Sequence, residues 1–357
     1  MRRMPRVGRV VVLVFAMSLA TCTTAGRGVG ETVQVAFVAD LSAPEALEHV
    51  LPARRGAELA FRIARITGAT DVAIELVDVD PSTDAGALRD LEDDPTLVAA
   101  IVAPSIGAMP DATAVDLPVI SLSGLDATPP PGTAWLRLVA PLEVVAEALA
   151  GSAPNPPSCV LSDASAPDPL GEQLAGRLGV QISTIDPATA AGVAERAGCG
   201  TVSWTGSLEG GVAAIGSLEG SEIAFAGGDR LLGPDFLDQA GPAGDGARSF
   251  CSCTGLSSSV DLDAQRFIQD YQARFGSAPG AYAVEGWDAA NLLLRAFAED
   301  GPTRNAVRDL LGRVALVDGL VRSYRVGLDG ELVDPDEYVV TYLALGGRWT
   351  EAVTRSG

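Results

Sequence analysis

The stretch Val33-Gln34-Val35-Ala36-Phe37-Val38-Ala39-Asp40 reads as a buried strand, and the segment Arg54–Ile66 that follows reads as a helix. In the second segment Ala57, Leu59, Ala60, Ile63 and Ala64 share one side, as in a helix laid on a sheet. This strand-then-helix unit recurs outward along the chain. Apolar runs at 72–80 (VAIELVDVD), 98–104 (VAAIVAP) and 117–123 (LPVISLS) are further strands, joined by short amphipathic stretches at Ala85–Leu91 and Ala112–Val115. A Pro-rich break at 127–133 precedes AWLRLVAP (134–141) and a helix over Leu142–Ala150. After a second break at 152–158 a new series begins: CVLSD (159–163), VQISTID (180–186), CGTVSW (199–204), EIAFAGGD (222–229) and RSFCSC (248–253). Two rounds of about five strands imply an α/β protein of two Rossmann-like lobes, each a parallel sheet flanked by helices. The last third is helical over Leu262–Phe275, Tyr282–Ala298 and Arg304–Leu311, then turns to SYRV (323–326) and YVVTYLAL (338–345). A ten-residue echo within 206–225 is too short to imply a repeat fold.

The N-terminus is of another kind. Arg2, Arg3, Arg6 and Arg9 precede an apolar run, Val10–Ala20, that is shorter than the roughly 20 residues a membrane span needs. It has the length and flanks of a secretory signal. Without that signal the balance of 25 Lys+Arg against 46 Asp+Glu falls to a net charge near −25. Such a charge argues against nucleic acid as a partner and against adhesion to anionic lipid. Cys159, Cys199, Cys251 and Cys253 are an even set in an exported chain, which invites disulfides, and four thiols allow three pairings. Their spacing matches no zinc site, and the residues suggest no cofactor.

Leu19-Ala20-Thr21-Cys22 resembles the bacterial lipobox, which implies lipidation at Cys22 and a membrane-anchored, extracytoplasmic protein. From Val33 to Ala352 the order of segments is similar to the type I periplasmic binding proteins of the Leu/Ile/Val family, which serve branched-chain amino-acid ABC importers. The resemblance rests on Gly56-Ala57-Glu58-Leu59-Ala60, Ala100–Pro104, Pro118-Val119-Ile120-Ser121, Gly227-Gly228-Asp229 with Gly233–Leu237, and above all Arg266–Gly276 with Ala281-Tyr282-Ala283 and Gly286–Ala290. It implies a signal peptide at 1–21, a lipidated linker at 22–32, one lobe of 33–140 with 257–320, and another of 141–256 with 321–357. Three crossovers join the lobes, placed near Ala140, Thr254–Ser258 and Gly319–Val321, and a ligand is held between them. In the strand order 2-1-3-4-5, Cys159 and Cys199 start neighbouring strands, so a disulfide between them is reasonable; the state of Cys251 and Cys253 stays open.

The resemblance points to Ser105, Gly107, Ser121, Ser123, Asp163, Trp204, Asp229, Tyr282 and Glu285 as ligand-binding positions. Asp229 stands where the family receives a ligand ammonium, or caps the following helix. Trp204 stacks on a ligand or packs at the rim, and Glu285 makes a rim contact. The departures are Ile106 and Gly107 at the family's Ser pair, Leu125 at its Thr, and Asp163-Ala164-Ser165-Ala166-Pro167 in place of D-x-x-Y-G. With these hydroxyls gone, the backbone N–H groups of Gly107 and Ser123 are the remaining candidates for an anion. The implied function is capture of a small polar solute (amino acid, amide or small carboxylate) for an ABC permease. The alternative is a surface sensor or scaffold that keeps the fold without transport and signals through a kinase. An enzyme is not indicated: His49 lies in a loop-like, surface stretch without an obvious partner, and no GxSxG, HExxH or phosphate loop occurs.

Overall fold

The computed structural model describes residues 32–41, 46–80, 93–104, 116–125, 134–163, 168–233, 235–256 and 261–352. The stretches expected as helices at 85–91 and 112–115, and Cys22, lie outside them. Strand β1 (Thr32–Val38) runs parallel between β2 (Ala73–Val79) and β3 (Leu97–Val102), and the sheet carries on to β4 (Val119–Ser121) and β5 (Trp135–Arg137). Every residue of β3 is buried, as a parallel strand covered on both faces demands. The second sheet is built from β6 (Ser158–Ser162), β7 (Ser183–Thr184), β8 (Thr201–Trp204), β9 (Ala224–Gly227) and β10 (Arg248–Cys251). Within each sheet these five stand in the order 2-1-3-4-5, so the chain has two doubly wound lobes. A hairpin, β11 (Leu316–Asp318) with β12 (Ser323–Arg325), forms a small sheet of its own. Strands β13 (Val340–Leu345) and β14 (Arg348–Glu351) then extend the second sheet antiparallel to β10.

Helix α1 (Ala46–Thr67) starts eight residues before the expected Arg54, and Pro52 lies inside it. An interior proline costs about 3 kcal/mol by removing a hydrogen bond. Here the helix continues because Val50, Ala53, Ala57, Ala60 and Phe61 are all buried in the core under the sheet. Among the described residues the other α-helices are α2 (Leu142–Gly151), α3 (Pro169–Leu178), α4 (Ala190–Ala197), α5 (Leu208–Ser217), α6 (Phe236–Ala240), α7 (Leu262–Phe275), α8 (Ala283–Asp300) and α9 (Arg304–Leu311). Helix α7 has its expected ends because both are written in capping residues: Asp261 accepts the N–H groups of Asp263 and Ala264, and Gly276 closes the helix in the left-handed region.

Helices α1 and α8 cross backbone to backbone. A Cβ at Gly56 would overlap the carbonyl of Ala283, and one at Gly286 the carbonyl of Ala53. Two positions of the sequence resemblance are thus steric requirements of one contact.

The third crossover differs from the expectation at Gly319–Val321. Tyr324, Val326 and Leu332 are buried in the first core, and Arg137 of β5 donates its backbone N–H to Gly330 O at 2.9 Å. The hairpin therefore stays with the first lobe. The chain returns to the second through the turn Pro335–Tyr338 and β13, since the hairpin is tied to β5 by that bond and by the Arg137–Glu331 ion pair. Cys159 is bonded to Cys199 beside the neighbouring strands β6 and β8, with Cα atoms 5.8 Å apart.

Gly286→Ala should lower stability by about 1–3 kcal/mol, the usual cost of overpacking. Gly176→Ala, on α3 with nothing within 4 Å of the added carbon, should raise it by about 0.5–1 kcal/mol. Urea titration of the two variants checks the pair; equal effects would exclude the backbone contact.

Candidate ligand cleft

Between the lobes lies a cavity of about 50 Å³. The first lobe gives it Leu122, Gly124 and Leu125 after β4, the crossover residues Val139 and Ala140, and His49 and Tyr282. The second gives Asp168 and Leu170 at the start of α3, Asp229 and Arg230 after β9, and Phe250, Cys251 and Ser252 at the end of β10. This is the place a doubly wound fold makes for a ligand, where strands end and helices begin.

The polar groups are coupled across the gap. Tyr282 donates its hydroxyl to Asp229 Oδ2 at 2.6 Å, a bond from the first lobe to the second. Burial, with the Asp229 charge beside it, pushes the Tyr282 hydroxyl well above its usual range, so it acts as a neutral donor. Tyr282 also holds a backbone φ of 64°, a left-handed conformation that costs a non-glycine residue on the order of 1 kcal/mol. Arg230 is 5 % exposed; its Nη1 donates to Gly206 O at 3.4 Å, and among the described residues its Nε has no hydrogen-bond partner. Asp168 caps α3 by accepting the Leu170 N–H at 2.9 Å. Burial pushes its carboxyl up to about 6; nearby Asp229 adds to the rise, while Arg230 and the capping N–H oppose it. Two carboxylates and a guanidinium thus face a space whose lining mixes apolar groups with His49, Tyr282 and Ser252. That arrangement can bind a charged or zwitterionic solute.

Of the residues singled out in the sequence, Asp229 and Tyr282 meet at the cavity, and Asp229 does not make a side-chain cap to the turn that follows it. Ser105 and Gly107 lie outside the described residues. Ser121 and Ser123 are buried at the end of β4 and turned to their own backbone: Ser123 donates its N–H to Ser121 Oγ at 3.0 Å, and Leu125 donates to Ser123 Oγ at 3.2 Å. The Ser123 N–H considered for an anion is therefore engaged.

Three further expectations are corrected. The Asp163 carboxylate accepts the Ser207 N–H and hydroxyl, fixes the turn into α5, and is not among the residues lining the cavity. Trp204 is 1 % exposed and packs in the core of the second lobe, in the space left by Gly206, Gly210 and Gly211. Its indole N–H donates to Ser207 O at 2.9 Å. Glu285 makes no rim contact: it is fully buried and bound to Thr254 and Arg322.

The reading missed three groups. His49 is not a surface residue: it sits in α1, 1 % exposed, edge-on to the Tyr282 ring at 6.0 Å. Pro52 hid it by suggesting a loop. Asp168-Pro169 is the N-cap and first-turn proline pair that marks a helix start, and so was available as a signal. Nothing in the sequence marks Arg230.

No protein-family model matches the chain, and no curated protein matches its sequence. Solved structures do match its fold. A leucine-binding protein from Thermotoga maritima aligns with a TM-score of 0.67 at 16 % identity, over 90 % of this chain and 98 % of its own. The branched-chain amino acid transporter substrate-binding protein from Streptococcus pneumoniae, in complex with isoleucine, gives 0.68 at 16 % identity, over 90 % and 100 %. A solute-binding protein of an ABC transporter from R. palustris, in complex with benzoate, gives 0.68 at 17 % identity, over 90 % and 95 %. The fold is that of the type I periplasmic binding proteins.

The fold holds the Asp168 proton more tightly than the unfolded chain does. The stability this supplies is complete below the ordinary value of 3.8 and is lost as pH rises through about 6. Asp168→Asn keeps the cap and should flatten the fall in melting temperature between pH 5 and pH 7.5. Calorimetry of both proteins across that range checks this; parallel pH profiles would contradict it.

Proposed function

We propose that this protein is an extracytoplasmic solute-binding lipoprotein, tethered through Cys22, that closes on a small polar solute and presents it to an ABC permease. The observation that carries the reading is the Tyr282–Asp229 hydrogen bond, which spans the cleft and joins the lobes beside a buried guanidinium. Solved relatives in fold hold isoleucine and benzoate, which supports an amino acid or small carboxylate as the solute. In this chain the polar anchors come from the second lobe. Arg230 meets the ligand's anionic group, Asp229 and Asp168 meet a cationic one, and the first lobe supplies Leu122, Leu125 and Val139 as an apolar wall. Binding, with no bond made or broken, is the whole activity.

The test is titration calorimetry of the chain from Thr23 onward with amino acids, amides and small carboxylates. One class should bind, and Arg230→Met should weaken it by about tenfold or more, the cost of a lost charged hydrogen bond. The absence of heat with every class, or an unchanged affinity in Arg230→Met, would overturn the assignment.

A further inference from the structure

The passages between the lobes converge on Cys251-Ser252-Cys253. The two cysteines are joined in a disulfide, with Cα atoms 5.1 Å apart, and Ser252 is held inside the small ring this makes. The Ser252 hydroxyl accepts the backbone N–H of Ala140, in the first passage. The Ser252 carbonyl accepts Arg322 Nη2 at 2.9 Å, and the same guanidinium donates through Nη1 to Tyr338 O at 3.1 Å in the third passage. The Cys253 carbonyl accepts the Tyr342 hydroxyl at 3.0 Å. One covalently closed tripeptide therefore ties all three passages together.

Its position adds an access condition. Cys251 and Ser252 line the ligand cavity, yet both cysteines are only 1 % exposed. The Tyr282–Asp229 contact crosses the cavity that Cys251 lines, so its release would widen the approach to the Cys251 sulfur. Cys159, by contrast, is half-buried on the second lobe, remote from that cavity. The rate of thiol–disulfide exchange depends on access to the attacked sulfur.

Resting on the reading that the lobes open and close, we propose that Cys251–Cys253 is a reversible modification site for an extracytoplasmic dithiol, reachable when the cleft is open, and that its reduction loosens the closed form. A thiolate of the reductant attacks Cys251 Sγ; the Cys251–Cys253 bond breaks and a mixed disulfide forms. The second thiol of the reductant then displaces Cys251. The reductant leaves as a disulfide, two electrons are transferred, and Cys251 and Cys253 each end as a protonated thiol. Ser252 is then held by its hydrogen bonds alone.

The experiment treats the mature chain with dithiothreitol under native conditions, quenches with an alkylating reagent, and follows each cysteine by peptide mass spectrometry. In Tyr282→Phe, which lacks the interlobe bond, Cys251 and Cys253 should be labelled about tenfold faster than in the parent, as expected for a lost hydrogen bond of ordinary strength. Labelling of Cys159 and Cys199 should keep the same rate in both proteins. Amide exchange at 122–125 and 228–231 reports separately whether Tyr282→Phe opens the cleft. Opening without faster labelling would overturn the proposal, whereas no opening would count against the functional reading itself. The variant carrying Cys251→Ser and Cys253→Ser decides the tie independently: exchange at Ala140 should quicken while that of β3 stays unchanged. An unaltered rate at Ala140 would also overturn the proposal.

Discussion

The Glu285 carboxylate has no solvent exposure, and the relation of the two lobes depends on how it is satisfied. Its Oε1 accepts the Thr254 N–H at 2.8 Å and hydroxyl at 2.6 Å from the second passage, and Arg322 Nη2 at 3.1 Å from the hairpin. The Arg322 guanidinium in turn lies 5.3 Å from the ring centres of Tyr324 and Tyr338. A buried ion pair is offset against its desolvation only when further hydrogen bonds complete it, and removing one partner costs about 3–5 kcal/mol. Because Glu285 sits in the first turn of α8, the helix that carries this node also presents Tyr282 to the cleft and Gly286 to α1. It presents Asp288 to the hairpin as well, where the carboxylate accepts the Tyr324 hydroxyl and the Leu320 N–H at 2.8 Å each. Burial pushes the Asp288 carboxyl up to about 7 against the opposing effect of those bonds. Cleft, hinge and hairpin are thus positioned by two turns of one helix.

The lobes meet the cleft with different chemistry. The first brings apolar side chains and a tyrosine hydroxyl; the second brings two carboxylates and a buried arginine. Both lobes also bring apolar groups, Leu122, Leu125 and Val139 from the first and Leu170 and Phe250 from the second, and in such a partly apolar space each charged contact is stronger than in water. This division explains how the site can work with the Ser121 and Ser123 hydroxyls turned to their own backbone.

The architecture was legible because periodicity reports it directly. Continuous apolar runs gave the strands and helical spacing gave α7, whose ends Asp261 and Gly276 cap; that Gly56 and Gly286 make a contact admitting no Cβ shows only in the fold. The site was legible only in part. Asp229 and Tyr282 could be placed by their neighbours in sequence, but Glu285 and Trp204 could not. Whether a polar or aromatic residue at a helix start or strand end faces a ligand or a packed interior depends on partners far along the chain. Thr254 and Arg322 bind Glu285, and Gly210 and Gly211 make room for Trp204. The same holds for His49, whose helix survives Pro52 only through packing on α8. A crossover at Gly319–Val321 would divide the hairpin between the lobes; its tie to β5, the Arg137 N–H to Gly330 O and the Arg137–Glu331 ion pair, is invisible to any local pattern.

The central claim is that two rigid lobes close over a solute around this node. Spin labels at exposed Arg62 on the first lobe and exposed Glu195 on the second, in the chain from Thr23 onward, whose four cysteines are held in disulfides, would report the distance between them by pulsed electron resonance. The account predicts a broad distribution without solute that narrows to a shorter distance with any solute that raises the melting temperature. A single distance, unchanged by a solute that stabilises the protein, would contradict it.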